Sequence, residues 1–216
     1  MSALHNLAVW ALPVTLAITV HEAAHGYAAR SCGDDTAARA GRLSLNPLRH
    51  IDPVGTVLVP AVLLLLGGFL FGWAKPVPIN PALFRQPRRD MAWVAAAGPL
   101  SNGVMLLLWL LVYGMLAHVL PAEAAAVPAW QSLALSMAVA GALINLALML
   151  LNLLPVPPLD GGRILRSLLP PPLAAVLDRI EPYGLLILLA LIASGWLLPM
   201  LLQGPQDWLL ELLQRI

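Results

Sequence analysis

Residues 4–29 read LHNLAVWALPVTLAITVHEAAHGYAA, a stretch in which Glu22 is the only acidic residue and neither Lys nor Arg occurs. A helix needs about 20 mostly apolar residues to cross the hydrocarbon core, so this stretch is expected to span a bilayer. No Lys or Arg precedes it, and it runs past the length of a signal-peptide core, so it reads as a retained helix. His21-Glu22-Ala23-Ala24-His25 stands near its end. A spacing of four puts both imidazoles on one helical face, one turn apart, where they can bind one metal ion. Glu22, next to the first histidine, can then serve a water at that metal as general base. Helical histidines also occur as satisfied core groups. Two of them with a carboxylate in an apolar helix are costly in lipid, however, and point to function.

Composition widens the membrane reading to the whole chain. Of 216 residues, 60% are hydrophobic and 11% charged, with mean hydropathy +0.82; a soluble domain is about one quarter charged. Twelve Lys and Arg against eleven Asp and Glu leave +1, too little for a nucleic-acid footprint, so no nucleic-acid partner is expected. Cys32 is the single cysteine, which excludes an intrachain disulfide framework and a cysteine-built zinc site.

Further apolar runs cover Val54 to Phe71, Met91 to Leu120, Trp130 to Leu154 and Tyr183 to Leu202. The tail from Pro205 to Ile216 places Trp208, Leu209, Leu212 and Leu213 at helical spacing opposite Asp207, Glu211 and Arg215, the pattern of a short interfacial helix. Arg30, Arg39, Arg42 and Arg49 precede the second run, and Lys75, Arg85, Arg88 and Arg89 follow it. Positive charge marks the cytoplasmic side, so one simple crossing cannot separate these two segments. The run at 54–71 is therefore expected to be re-entrant, which leaves four spans. The connection between the third and fourth runs has no Lys or Arg, whereas Arg163, Arg166 and Arg179 follow the fourth.

Two histidines leave a catalytic zinc site short of its usual three protein ligands. Asp34, Asp35, Asp52, Asp90, Asp178, Glu181, Asp207 and Glu211 lie in loops or the tail, and Glu123 lies on the far side. Asp160 ends the run Asn152-Leu153-Leu154-Pro155-Val156-Pro157-Pro158-Leu159-Asp160-Gly161-Gly162 at the cytoplasmic end of the fourth span. Its prolines prevent continuous helix, and Gly161-Gly162 is expected to make a tight turn that aims the carboxylate inward. Asp160 is read as the third ligand; the other role open to it is capping a helix that begins near Arg163.

H-E-x-x-H in the first core helix, Gly98-Pro99-Leu100-Ser101-Asn102 in the next and N-x-x-P-x-x-P-L-D-G-G in the third resemble the site-2 proteases, intramembrane zinc metalloproteases of regulated intramembrane proteolysis. The resemblance covers roughly residues 15 to 170. It implies one zinc ion per chain held by His21, His25 and Asp160, with Glu22 as catalytic base and Asn152 holding the substrate backbone or the reacting carbonyl. Gly98 and Asn102 match the middle motif, where small residues permit close helix packing. The family geometry also needs His25 and Asp160 at one membrane face, which again demotes the run at 54–71. Arg42 to Pro47 and Gly72 to Pro81 resemble segments of the family's short-chain subgroup. They are expected to form a small membrane-associated β-sheet whose Lys75-Pro76-Val77 edge receives an unwound substrate strand, or else a polar loop that merely tethers helices. The connection at Pro121 to Ala129 is too short for a PDZ domain, and no nucleotide-binding domain is expected.

The expected fold is thus an all-α polytopic membrane protein of about four transmembrane helices with a re-entrant element and that sheet. Residues 1–216 are read as one intramembrane metalloprotease domain, with a core at 4–170 and a C-terminal helix and interfacial tail at 181–216. The expected activity is cleavage of peptide bonds in or near transmembrane segments of membrane-protein substrates. The chain is placed in the cell membrane with its site near the cytoplasmic face; an oligomer is left open. The rival reading is a divalent-metal transporter or sensor with an intramembrane His/Asp site, and a third is a non-catalytic chaperone on a protease fold. His5, His50, His118 and Cys32 match no ligand position; His50 is the one singled out for mutation.

Overall fold

The computed structural model describes residues 3–58, 62, 74–119 and 128–215. In chain order the α-helices are α1 (Ala3–Ser31), α2 (Thr36–Arg39), α3 (Pro87–Val119), α4 (Ala129–Asn152), α5 (Asp160–Leu168), α6 (Pro171–Ile180), α7 (Gly184–Ala193) and α8 (Leu197–Arg215). Three of them, α1, α3 and α4, are long and apolar enough to cross a membrane, and they pack on one another as the core.

Their packing inverts the pattern of a water-soluble bundle. The buried positions are small: Ala17, Ala23 and Ala29 of α1, Ala95 of α3, and Ala138, Ala140 and Ala142 of α4. The large side chains Val104, Leu107, Leu111 and Met115 of α3 are exposed. Lipid tails are as apolar as leucine, so large side chains face them without cost, and helices associate where small residues let backbones approach. Gly141 of α4 shows how close: a Cβ there would lie 2.6 Å from Trp109 Cγ and nearer still to Cδ2, in collision with the indole ring of α3. Tyr113, Leu106 and Met149 pack around the neighbouring cluster of Ala142, Leu146, Leu209 and Leu213.

Arg85 N donates to Cys32 O (3.2 Å), so the chain leaving α1 and the chain entering α3 meet at one face. Of the run at 54–71, only the π-helical turn Pro53–Leu58 and Val62 fall among the described residues; the rest of the re-entrant reading lies outside them, as does most of the connection at 121–129. At the same face Pro87 opens α3, where its missing N–H costs nothing, and Asp90 Oδ2 accepts from Gln86 N (2.8 Å).

Three expectations are revised. No strand occurs among the described residues, so the small sheet is not formed. The physical reason is local competition: Ser44 Oγ accepts from Asn46 N (3.1 Å) and Asn46 Oδ1 from Leu48 N (3.1 Å), while Pro76 and Pro78 have no N–H to give a ladder. The segment at 183–202 is not one straight helix. It breaks at Gly195, whose φ of +71° suits glycine, and the helices on either side are bent by 66°. The tail is no separate interfacial helix, because it continues α8 through Pro205 and buries Leu209 and Leu213 against α4.

The α3–α4 contact can be tested at its tightest point. Gly141→Ala should destabilise the fold by about 1–3 kcal/mol through overpacking against Trp109. Gly204→Ala, which meets nothing within 4 Å, should be neutral or mildly stabilising. Thermal unfolding of the purified protein in detergent reads the difference.

Candidate metal centre

His21, His25 and Asp160 converge. The two Nε2 atoms lie 3.1 Å apart, and Asp160 Oδ2 lies 3.2 Å from His21 Nε2 and 3.3 Å from His25 Nε2. All three residues are buried.

The hydrogen bonds around the rings fix their tautomers. Val94 O can only accept, so His25 Nδ1–H donates to it (2.7 Å). Asn102 Nδ2 donates to Asn145 Oδ1 (2.9 Å) and Ala17 O (3.3 Å), which turns Asn102 Oδ1 toward His21 Nδ1–H (2.6 Å). In neutral rings with both protons on Nδ1, both Nε2 atoms present lone pairs. Asp160 Oδ2 is correspondingly buried with no hydrogen-bond donor. Three lone-pair atoms facing one another away from water repel unless a cation lies among them. A metal ion fits this set by number, donor type and position.

Close approach of α3 makes the convergence possible. A Cβ on Gly98 would lie 2.6 Å from His21 Cε1 and nearer still to His25 Nε2, so any side chain there would collide with both rings. The middle motif is thus more than small residues for packing: Gly98 makes room for the imidazoles, and Asn102 orients one of them.

Asp160 arrives from a different direction. It is the first residue of α5, with Leu159 at the N-cap, where a carboxylate is favoured by the helix dipole. Neither Gly161 nor Gly162 has positive φ, so the expected glycine turn is replaced by close approach. A Cβ on Gly161 would lie 2.5 Å from the carbonyl carbon of Leu153, and one on Gly162 would lie 2.6 Å from Pro157 N. The start of α5 is thereby pressed against the end of α4. At its other end Arg88 of α3 donates to Ser167 O (3.2 Å) and to Leu169 O, tying the α5 C-terminus to the start of α3. Arg166 and Asp178 pair through both carboxylate oxygens and join α5 to α6.

Glu22 points to the loop that precedes α3: its Oε2 accepts from Val77 N (2.8 Å). Val77 is buried, whereas Lys75 and Pro76 are exposed. Asn152, the last residue of α4, donates Nδ2 to Leu148 O of its own helix (3.0 Å). His50 is buried and its Nε2 donates to Ser44 O (2.8 Å), while His118 Nδ1 donates to Gly114 O (2.9 Å); neither joins the cluster. Cys32 is buried among Ala28, Ala29, Phe84 and Val94.

Sequence reasoning missed Asn145 and the Val94 carbonyl. Asn145 carried a signal, since an asparagine inside an apolar span is costly unless paired; it is fully buried and also donates to Gly141 O (2.8 Å). The Val94 contribution comes from the backbone and leaves no residue signature. Asp34 was set aside as a loop residue, yet it is fully buried, accepting from Thr36 N (2.9 Å) and Asn80 N (2.6 Å). Burial pushes its pKa up, but the Thr36 hydroxyl, the Asn80 and Thr36 amides and the Arg39 charge outweigh this and hold it below the ordinary aspartate value.

The chain is similar to known proteins along most of its length. Residues 115–193 match the family model described as Peptidase family M50. A relative from Bacillus subtilis (strain 168), named "Putative zinc metalloprotease YwhC", is 41% identical over 217 residues, covering 95% of this chain and 91% of the relative. The protein from Mycolicibacterium smegmatis bearing the same description with the name Rip2 is 30% identical over 181 residues, covering 83% of this chain and 64% of that protein. Its counterpart from Mycobacterium tuberculosis (strain ATCC 25618 / H37Rv) is 28% identical over 201 residues, 91% of this chain and 71% of that protein. No solved structure matches the chain. Identity at this level across nearly the whole length of two chains, on a core of apolar helices enclosing a His/His/Asp cluster, is decisive: the chain belongs to peptidase family M50, the site-2 protease family of zinc metalloproteases.

Proposed function

We propose that the chain is an intramembrane zinc endopeptidase that cleaves membrane-protein substrates in or near their transmembrane segments. The observation that carries this reading is the buried meeting of His21 Nε2, His25 Nε2 and the donorless Asp160 Oδ2, with the Glu22 carboxylate one residue from the first imidazole. His21, His25 and Asp160 would hold the ion, leaving a fourth position for substrate and water. When bound, zinc supplies Lewis acidity, lowering the pKa of water to about 7 and polarising a carbonyl.

The remaining chemistry belongs to the chain. Glu22 takes a proton from the attacking water at a carboxylate oxygen and returns it to the nitrogen of the leaving amine. Asn102 and Val94 hold the Nδ1 protons of the two histidines, which fixes the ring orientations and leaves the Nε2 atoms to hold the ion. Asn152 has its Nδ2 engaged by its own helix, and its carboxamide oxygen is assigned to a substrate amide. Lys75, Pro76 and Val77 flank Glu22, and the substrate segment is assigned to the exposed side of Lys75 and Pro76. A helical substrate hides its carbonyls in its own hydrogen bonds, so it must unwind before attack.

The site is assigned to the cytoplasmic side. Arg30, Arg39, Arg42, Arg49, Lys75, Arg85, Arg88 and Arg89 cluster in sequence around the end of α1 and the start of α3, and positive charge favours that face. The partner is a transmembrane protein within the same bilayer. All of residues 1–216 are assigned to one protease unit.

Three measurements test these roles. Glu22→Gln should keep zinc and lose cleavage by about 10²–10⁴-fold, the worth of a positioned general base; undiminished cleavage of a co-reconstituted single-pass substrate would end the base assignment. Asp160→Ala should remove zinc from the purified protein by metal analysis. Asn102→Ala should weaken zinc binding by about 10–100-fold, the usual effect of losing a group that orients a ligating histidine, and competition with a chelator reads this directly. A metal transporter would instead carry ions across proteoliposomes without cutting peptides.

A further inference from the structure

The loop at 74–80 has no helix or strand, yet buried side chains pin it at both ends. At one end Arg42 Nη2 donates to Lys75 O (2.6 Å) and more weakly to Pro76 O (3.4 Å). Lys75 N donates to His50 O (2.9 Å), and His50 is locked to Ser44 O. At the other end Asn80 N donates to Asp34 Oδ2 (2.6 Å). Arg42, His50 and Asp34 are 8%, 3% and 0% exposed, which is rare for charged and titratable residues that serve no partner. Between the pins lies the Val77 amide, 2.8 Å from Glu22 Oε2.

The sequence leaves this amide no competitor. Positions 76 and 78 are proline, so Val77 carries the only main-chain N–H in three consecutive residues, and it is spent on Glu22. The loop reaches the helix because the residue one turn after Glu22 is glycine. A Cβ on Gly26 would lie 3.1 Å from Val77 Cγ1 and 2.5 Å from Leu43 Cδ2, so a side chain there would push both loop segments off α1.

We propose that the loop is the orienting group for Glu22. The Val77 N–H fixes the carboxylate by one oxygen and leaves the other for proton transfer, and Arg42, His50 and Asp34 are positioning residues that hold Val77 in place. An unheld glutamate spreads over many rotamers, whereas a base oriented by a third group stays in reach of its proton. The inference rests on the reading of Glu22 as base. It also reassigns the Val77 amide, because an N–H committed to Glu22 is not offered to a substrate strand.

The test uses the full chain reconstituted in bilayers with a single-pass substrate. Val77→Pro removes the N–H and should lower kcat by about 100-fold, with KM and zinc content little changed; Val77→Ala keeps the N–H and should stay at least ten-fold above it. Arg42→Ala should follow Val77→Pro, and Arg42→Lys should restore part of the loss by giving Lys75 O a donor again. Hydrogen exchange supplies a readout independent of turnover, since in a peptide spanning 75–78 the prolines have no N–H and residue 75 carries the terminal amine, which leaves the Val77 amide as the reporter. The Val77 amide should be protected in the wild type and exposed in both Glu22→Ala and Arg42→Ala. Equal activity of Val77→Pro and Val77→Ala, or a Val77 amide that exchanges freely in the wild type, would overturn the proposal. Persistent cleavage by Glu22→Gln would instead fell the base reading, with the exchange results left standing.

Discussion

Two imidazole nitrogens and a carboxylate oxygen face one another within about hydrogen-bonding distance, and with both rings neutral and protonated at Nδ1 none has a proton to share. In water such an arrangement would dissolve into solvation. Inside a helical core it must either be relieved by a cation or forced by strong constraints from outside. Both features are present. The rings are held by acceptors on their far nitrogens, and the carboxylate is delivered by a helix start wedged against the end of α4. The centre is therefore fixed chiefly by what surrounds it, and the architecture of α1, α3, α4 and α5 can be read as the set of supports that this one repulsion requires.

Those supports explain why small and polar residues appear where an apolar core would take leucine. α3 must pass so close to both rings that no side chain fits between, which Gly98 permits, and then supply an oxygen to one of them, which Asn102 does. A buried carboxamide has a second end to satisfy, and Asn145 of α4 takes it. One hydrogen-bonded chain thus runs from His21 across α3 into α4 and ends on the carbonyl of Gly141, beside the indole of Trp109. The contact that lets α3 and α4 approach and the contact that orients the histidine lie along the same line. Stability and site geometry are coupled here through shared residues.

Much of this was legible in the sequence, and what failed to be legible failed for identifiable reasons. His21, Glu22 and His25 announce themselves because ionisable groups in a long apolar run are expensive, and the spacing of four fixes their common face. Asp160 could be reached by elimination among few carboxylates. The spans at α1, α3 and α4 follow from length and apolarity. The sheet was misread because alternation in Arg42 to Pro47 imitates a strand, whereas Ser44 and Asn46 take the neighbouring amides and two prolines withhold others. The glycines after Asp160 were misread because glycine has two uses, and sequence cannot separate a left-handed turn from a close approach. Backbone partners such as Val94 O leave no trace in residue identity, and the pairing of residues 34 and 80 depends on a chain reversal that local pattern does not encode.

The loop before α3 shows how a strand-like segment can be exact without being part of a sheet. A sheet fixes residues through repeated main-chain bonds, and prolines at 76 and 78 deny it those. The same prolines also restrict φ at their own positions and bias the residues before them toward extended backbone, so the segment loses little entropy on ordering. Hydrogen bonds between the backbone at 75 and 80 and the buried Arg42, His50 and Asp34 then suffice to hold it, and the N–H between the two prolines has a single use. In lipid, where an unpaired amide is costly and water is scarce, removing surplus donors is as important as placing the needed one. The loop reads as polar and irregular by composition, but its irregularity concentrates one directed hydrogen bond on the one carboxylate of α1.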